Sequence, residues 1–308
     1  MRVVLIVNAS ASSVTERARV VIQKALSADH DVHVAETSRR GHAIRLAQGA
    51  AADGVDVVVV LGGDGTVNEA ANGLTGTGTA LGVLPGGSTN VYARTIGMTN
   101  DPIEATGELL AALAHDHIRP VGLGTVNGRS FLFHVGLGFD AAVVAAVDRH
   151  ATLKRYASHA VFLSAAVSTW VRRPERRGAA FTVESPGAPP RQAAFAICMK
   201  TNPYTFLGER PLDVAPGTTL TSGLSMVTFG RLDLPTLIPL AVVALRGGGL
   251  AGRRHVEVSR DLATTTVRAA RPIPYQVDGE YLGETSTFCL RHEPDALRLV
   301  VPGLADGP

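Results

Sequence analysis

The stretch "VVVVLGGDGTVNEAANGL", residues 57–74, decides how this chain is read. Four valines lead into two glycines, an acid, a third glycine and a threonine. A run of β-branched residues, apolar on both faces, is the pattern of a strand at the centre of a parallel sheet covered by helices. A glycine-dense corner directly after such a strand is costly in flexibility, and is expected where something must approach the backbone closely. Strand–loop–helix geometry turns free backbone N–H groups and the positive helix end toward that corner, which suits phosphate. Two familiar loops fail the comparison. The dinucleotide fingerprint needs a third glycine where Asn68 stands, and the P-loop needs a lysine that is absent. What remains is a loop with its own carboxylate, Asp64, between Gly63 and Gly65. An acid beside phosphates is repulsive unless a cation lies between them, so Asp64 implies Mg²⁺ carried on a nucleotide. A tight turn with a solvated acid is the plainer alternative.

Working outward, the first 115 residues alternate between strand and helix patterns. "RVVLIV" (2–7), "DVHVAE" (31–36), "VDVVVVL" (55–61) and "TALGVLP" (79–85) read as strands. Residues 14–27, 41–53 and about 67–73 read as helices between them. This is a doubly wound, Rossmann-like α/β pattern. The fourth strand runs into a second polar corner, "LGVLPGGSTNVYAR" (81–94), where Gly87, Ser88, Thr89 and Asn90 add backbone and hydroxyl donors. Paired corners at the carboxyl ends of neighbouring strands make a nucleotide crevice. After about residue 117 the rhythm changes to short strand-like segments, at 121–126, 130–136, 179–184, 193–199, 225–230, 254–259, 263–268 and 285–291. "VESPGAPPRQ" (183–192) reads as a hairpin turn. The second half is therefore expected to be mostly antiparallel and β-sandwich-like, giving an α/β plus β fold.

Composition closes off several classes. Of 308 residues, 29 are Lys or Arg and 27 Asp or Glu, a net charge of +2 that argues against a dedicated nucleic-acid binder. Hydrophobic residues make up 45% of the chain, enough for a core without disulfides or metal. The two cysteines, Cys198 and Cys289, have no ligand-like spacing and read as reduced, buried thiols of a cytoplasmic protein. The apolar stretches 156–171 and 234–249 fall short of the roughly 20 residues a membrane span needs and read as core helices. Basic clusters at 171–177 and 246–254 read as solvated loops, with contact to anionic headgroups as the alternative. "HDH" (115–117) reads as the end of a helix.

"GGDGTVNEAANGL" followed by "LGVLPGGSTNVYAR" resembles the catalytic domain of the diacylglycerol kinase and sphingosine kinase family, in particular its soluble bacterial lipid kinases. The resemblance continues through "VGLGFDAAVV" (135–144), "RYASHAVFLSAAV" (155–167) and "QVDGEYLGE" (276–284) and covers most of the chain. It implies an ATP- and Mg²⁺-dependent lipid kinase of phospholipid metabolism, acting by transient peripheral association on a lipid at a membrane surface. A homodimer stays open. It also implies a nucleotide domain at 1–120, completed by 296–308, a lipid-substrate domain at 121–295, and an active site in the cleft between them.

Carried over motif by motif, the resemblance assigns the triphosphate loop to Gly62, Gly63, Asp64, Gly65 and Thr66, with Asn68 and Glu69 following. Gly87, Ser88 and Asn90 fall in the second corner, Ser88 where the family usually has Thr. Thr37 matches a nucleotide-contacting threonine. The first-strand loop keeps Asn8, with Ser10 and Ser12, but lacks the family's Pro and Gly. In "VDGE" (277–280) the resemblance assigns Glu280 as general base, with Asp278 orienting it; a lipid hydroxyl attacking a γ-phosphate needs such a carboxylate. Two acids are missing. Val91 follows Asn90 where the family has Asp, and Ser222-Gly223 with Met226 stand where bacterial members have Asp-Gly and a later Asp. Those carboxylates contribute to a structural Mg²⁺ site in related kinases, so none is expected near Ser222. A sphingoid-base, NAD or other soluble-alcohol kinase, or a binding protein that has lost catalysis, are the competing readings. The lipid itself is not legible.

Overall fold

The computed structural model describes residues 1–139, 141, 180–231 and 234–302. The segments 155–167, 156–171 and 171–177 singled out above, and the end of the 135–144 motif, lie outside the described residues. The chain divides into two compact units, Met1–Leu123 with Pro294–Pro308, and Gly124–Glu293.

In the first unit, β1 (Arg2–Val7), β2 (Asp31–Glu36), β3 (Val57–Gly62) and β4 (Ala80–Pro85) pair in parallel in the order β2–β1–β3–β4. The end of β16 (Glu280–Val300) adds to β4 in parallel through Arg298 and Leu299. Every residue of β3 and β4 is buried, as apolar runs without alternation require. Helices α1 (Glu16–Leu26), α2 (His42–Ala52), α3 (Asp64–Leu74), α4 (Val91–Thr95) and α5 (Pro102–Ala114) connect these strands. Thr15 caps α1 by accepting from the Ala18 amide, and Asp101 caps α5 by accepting from the Ile103 and Glu104 amides. The pair α2 and α3 packs closely at Gly73, where a Cβ would lie 2.6 Å from the Ile44 carbonyl oxygen. Only glycine permits that approach.

The third helix differs from expectation. It starts at Asp64 rather than near Val67, because Gly63 in extended conformation serves as its N-cap. The glycine corner is thus the first turn of a helix, and its carboxylate sits at the helix's positive end.

The end of β5 (Ile118–Val126), at residues 124–126, belongs to the second unit and pairs with β6 (Arg129–Phe131). An antiparallel array runs β14 (Val256–Leu262), β13 (Leu224–Phe229), β10 (Phe195–Met199), β7 (His134–Leu137), β15 (Thr264–Val277) and the first part of β16. The hairpin read at 183–192 joins β8 (Phe181–Glu184) to β9 (Arg191–Ala193), and β8 pairs with β15. A further hairpin, β11 (Thr205–Leu207) with β12 (Arg210–Leu212), was not expected. One apolar cluster collects Phe131, Leu137, Val267, Val277, Phe288 and Leu290. A second, around stacked Phe195 and Phe229, takes in Leu240 and Ala244 of α6 (Leu234–Leu245). That helix carries Pro239 and is the core helix expected at 234–249. No helix among the described residues is long and apolar enough to cross a membrane.

One expectation fails. Cys198 on central β10 is buried, and burial pushes its thiol pKa up. Cys289 is exposed, because on β16 it alternates with buried Phe288 and Leu290 and the period of two turns it outward.

Candidate active site

The glycines of the two corners are explained first by each other. Gly86 donates its N–H to the Gly62 carbonyl at 2.9 Å, continuing the β3–β4 ladder one step beyond the strands. A Cβ on Gly86 would lie 2.8 Å from the Gly62 Cα, and one on Gly87 2.8 Å from the Gly63 Cα. The corners pack backbone on backbone, and side chains at these positions are excluded. Gly65 is different. It is exposed in the first turn of α3, and a Cβ there meets nothing within 4 Å. The packing does not demand a glycine at 65.

Asp64 is half-buried. Its Oδ2 accepts from the Val91 amide at 3.0 Å and its Oδ1 from the Tyr92 amide at 2.9 Å. The carboxylate therefore ties α3 to the first turn of α4, whose own N-cap, Asn90, makes no capping bond to it. Burial raises the Asp64 pKa while the two amide bonds oppose that rise. Amide bonds and two helix N-termini suit an ionised carboxylate.

The other candidates fall into two groups. Asn8 joins the corner: its Nδ2 donates to Thr66 Oγ1 at 3.0 Å and its Oδ1 accepts from the Ser10 amide. Ser10, Ser12 and Ser88 are exposed, and Thr37 follows β2 with its amide on the Val7 carbonyl. Asn90, in left-handed conformation, accepts from the Gly87 amide and donates back to the Gly87 carbonyl, so it shapes the second corner from inside. Two expected nucleotide contacts are engaged elsewhere. Glu69 accepts from the amides of Gly41 and Ala43 and so caps α2, which has no side-chain cap of its own. Asn68 is buried and bonded by Asn72. Ser13, which carried no signal beyond its residue type, donates to the Gly87 carbonyl and pins the first loop to the second corner.

In the second unit, Asp278 and Gly279 are the two central residues of a tight hairpin between β15 and β16, with φ of 47° and 80°. Asp-Gly is a favoured sequence for a type I′ turn, which needs positive φ at both places. Yet Asp278 is not a solvated turn residue. It is buried, accepting from the amides of Leu132 at 2.7 Å, Phe133 at 3.0 Å and His134 at 2.9 Å. Three amides converge on one carboxylate and fix the turn. Glu280, next along, is half-buried and paired with Arg129 at 2.8 Å. Arg129, at the start of β6, is a partner of Glu280 that no motif announced.

His134 beside this turn is buried against Tyr204 and Phe133, and burial lowers its pKa to about 3. It is neutral at pH 7. No group of three or more His, Cys, Asp or Glu side chains placed to hold a metal occurs among the described residues.

The sequence model of the diacylglycerol kinase catalytic domain matches residues 2–126. The chain is 30% identical over 296 residues to the "Probable lipid kinase YegS-like" of Pseudomonas aeruginosa strain UCBPP-PA14, covering 93% of this chain and 90% of that protein. It is 27% identical over 267 residues to a diacylglycerol kinase of Bacillus subtilis strain 168, covering 85% and 84%. A crystal structure of a diacylglycerol kinase from Bacillus anthracis superimposes with a TM-score of 0.72 at 19% identity, covering 97% and 96% of the two chains. At that identity the superposition speaks for the fold.

Proposed function

The chain belongs to the diacylglycerol kinase catalytic-domain family of lipid kinases, and on that premise we propose that it transfers the γ-phosphoryl group of Mg²⁺-ATP to a hydroxyl of a diacylglycerol-like lipid, releasing a phosphatidate and ADP. The observation that carries the reading is the pair of glycine corners packed Cα against Cα, with exposed Gly65 in the first turn of α3. The corner packing uses the Gly86 and Gly87 amides itself, and the first turn of α3, with no side chain at Gly65, is the part that offers amide donors to phosphate oxygens. Asp64, held by the Val91 and Tyr92 amides, is the residue that would hold the magnesium travelling with the nucleotide, an ion that would neutralise charge on the phosphates. Asn8, Thr66, Gly87, Ser88 and Asn90 line or shape the same corners, and Thr37, Ser10 and Ser12 are the proposed nucleoside-side contacts.

Glu280 is the proposed general base: as the lipid oxygen bonds to the γ-phosphorus and the bond to the ADP oxygen breaks, the hydroxyl proton passes to its carboxylate. Arg129 orients that carboxylate through the ion pair, and Asp278 holds the turn that presents it. A lipid acceptor implies work at a membrane surface, by transient association.

The test is labelled ATP with a panel of lipids in mixed micelles, run beside Asp64→Ala and Glu280→Ala. Labelling of diacylglycerol above both variants supports the proposal. Labelling of sphingoid base or of NAD instead selects a different acceptor, and no labelled acceptor at all returns the chain to a binding role.

A further inference from the structure

Lys200 follows β10 and is completely buried, an unusual place for an ammonium group. It has no acid partner in its hydrogen bonds. Its Nζ donates to three backbone carbonyls of one loop, Thr219 at 3.0 Å, Leu220 at 3.0 Å and Ser222 at 2.9 Å. The loop is built to present them. Ser222 Oγ accepts from the Thr219 amide, Thr219 Oγ1 accepts from the Ser222 amide, and the Gly223 amide donates to Asp261 Oδ1. A Cβ at Gly223 would collide with Asp261 at 2.8–3.0 Å, so the glycine is required by this tie.

Three carbonyl oxygens turned to one point form a cation cradle. The resemblance places a structural Mg²⁺ here in related kinases, none is expected in this chain because the acids are missing, and the residues present do not fit one. Mg²⁺ demands oxygens at about 2.0–2.1 Å in near-octahedral array, and usually carboxylates among them. Here the three oxygens stand 2.9–3.0 Å from the nitrogen, the spacing of N–H···O hydrogen bonds. Ser222 and Met226 supply no carboxylate, and Asp261 is turned to the Gly223 amide.

We infer that the Lys200 ammonium is the resident cation of the 219–222 loop, a covalently tethered replacement for a structural metal ion. An ammonium has three donors for three acceptors, whereas a neutral amine has two and would leave one of these carbonyls without its donor. Burial lowers the Lys200 pKa to about 8, which leaves the group protonated at pH 7. The cradle also bears on the acid turn. The Lys200 amide donates to the Phe133 carbonyl at 2.8 Å, and Phe133 in turn donates to Asp278. The side chain thus anchors the segment on which Asp278 rests, as a positioning residue.

The test compares Lys200→Ala, which leaves room for a small cation, with Lys200→Met, which fills the channel and removes the charge. Both are expected to lower the Tm by about 5–10 °C, since three carbonyls lose the donor that ties their loop to β10. Propylammonium chloride should restore the Tm of Lys200→Ala in a saturable way, with no effect on Lys200→Met or the wild type and none from sodium chloride. Restoration by Mg²⁺ but not by propylammonium would overturn the inference, as would Lys200→Met as stable as the wild type. Should neither variant fold, Mn²⁺ added to the wild-type protein decides: paramagnetic broadening of the amides of residues 219–222 overturns it, and sharp amides there support it.

Discussion

Asp64-Gly65 in the first unit and Asp278-Gly279 in the second are the same dipeptide put to two uses. Both acids accept backbone amides from a distant segment, Val91 and Tyr92 in one case, Leu132 to His134 in the other. Both glycines have open space where a Cβ would go. The backbone separates them. Gly65 lies in the first turn of an α-helix, and Gly279 has φ of +80° in a two-residue hairpin. Asp64 is half-buried with two amide partners, and Asp278 is buried with three. A carboxylate beside a glycine therefore marks a place where the chain turns sharply, and the element that follows determines how many distant amides the acid collects and how deeply it is buried.

The largest expected effect separates the pin from the chemistry beside it. Glu280→Gln should lower turnover by about 10²–10⁴-fold. Nucleotide affinity and thermal stability should stay near wild type. Equal losses of affinity and turnover would remove Glu280 from the role of base.

Asp278→Ala should cost about 3 kcal/mol of stability, because three buried amides lose their acceptor. Asp64→Ala should cost only about 1 kcal/mol, the worth of a helix cap. Urea unfolding of the two variants side by side checks the ranking, and a reversed order breaks the contrast.

His134, packed beside the second pin, makes that region acid-sensitive. Its folded pKa of about 3 lies below the unfolded value of 6.5, so the unfolded state binds the extra proton between these values. Its contribution is complete above pH 6.5 and is lost as pH falls toward 3. At pH 5 the loss should be about 2 kcal/mol. His134→Phe should remove that part of the pH dependence in denaturant titrations at pH 7 and pH 5, whereas an unchanged slope would mean that the ring is hydrated.

The smallest effects are opposite in sign. Gly65→Ala should stabilise by about 0.5–1 kcal/mol, since alanine is the better helix residue and meets nothing there. It should also weaken nucleotide binding if phosphates approach that backbone. Gly279→Ala should destabilise by about 1 kcal/mol, because a side chain resists positive φ. Calorimetry of both variants, with and without Mg²⁺-ATP, reads stability and binding together.

Asp278 and Glu280 were read only through the resemblance, whereas the strands of the first unit and the two corners were legible because each is local: strand periodicity and glycine pairs declare themselves within a few residues. Glu69 was not. From sequence it belongs to the phosphate loop, yet its side chain leaves α3 on the face toward α2 and finds the unpaired amides of Gly41 and Ala43. The same holds for Arg129 with Glu280, 151 residues apart, and for Ser13 with Gly87, 74 apart. Such partners are chosen by which buried donors and acceptors the fold leaves unsatisfied, and that inventory does not exist until the chain is packed.

By itself the sequence determined the alternation of strands and helices in the first unit, the glycine corners that end β3 and β4, and the family to which they belong. Tertiary structure alone decided what the glycines are for. Gly63, Gly86 and Gly87 let two backbones touch and Gly62 makes room for the Thr66 side chain, which leaves exposed Gly65 as the corner glycine not required by the packing. It also decided that Lys200 lies beneath a loop of carbonyls. A buried ammonium must find oxygen, and only the folded chain shows whose oxygen it is.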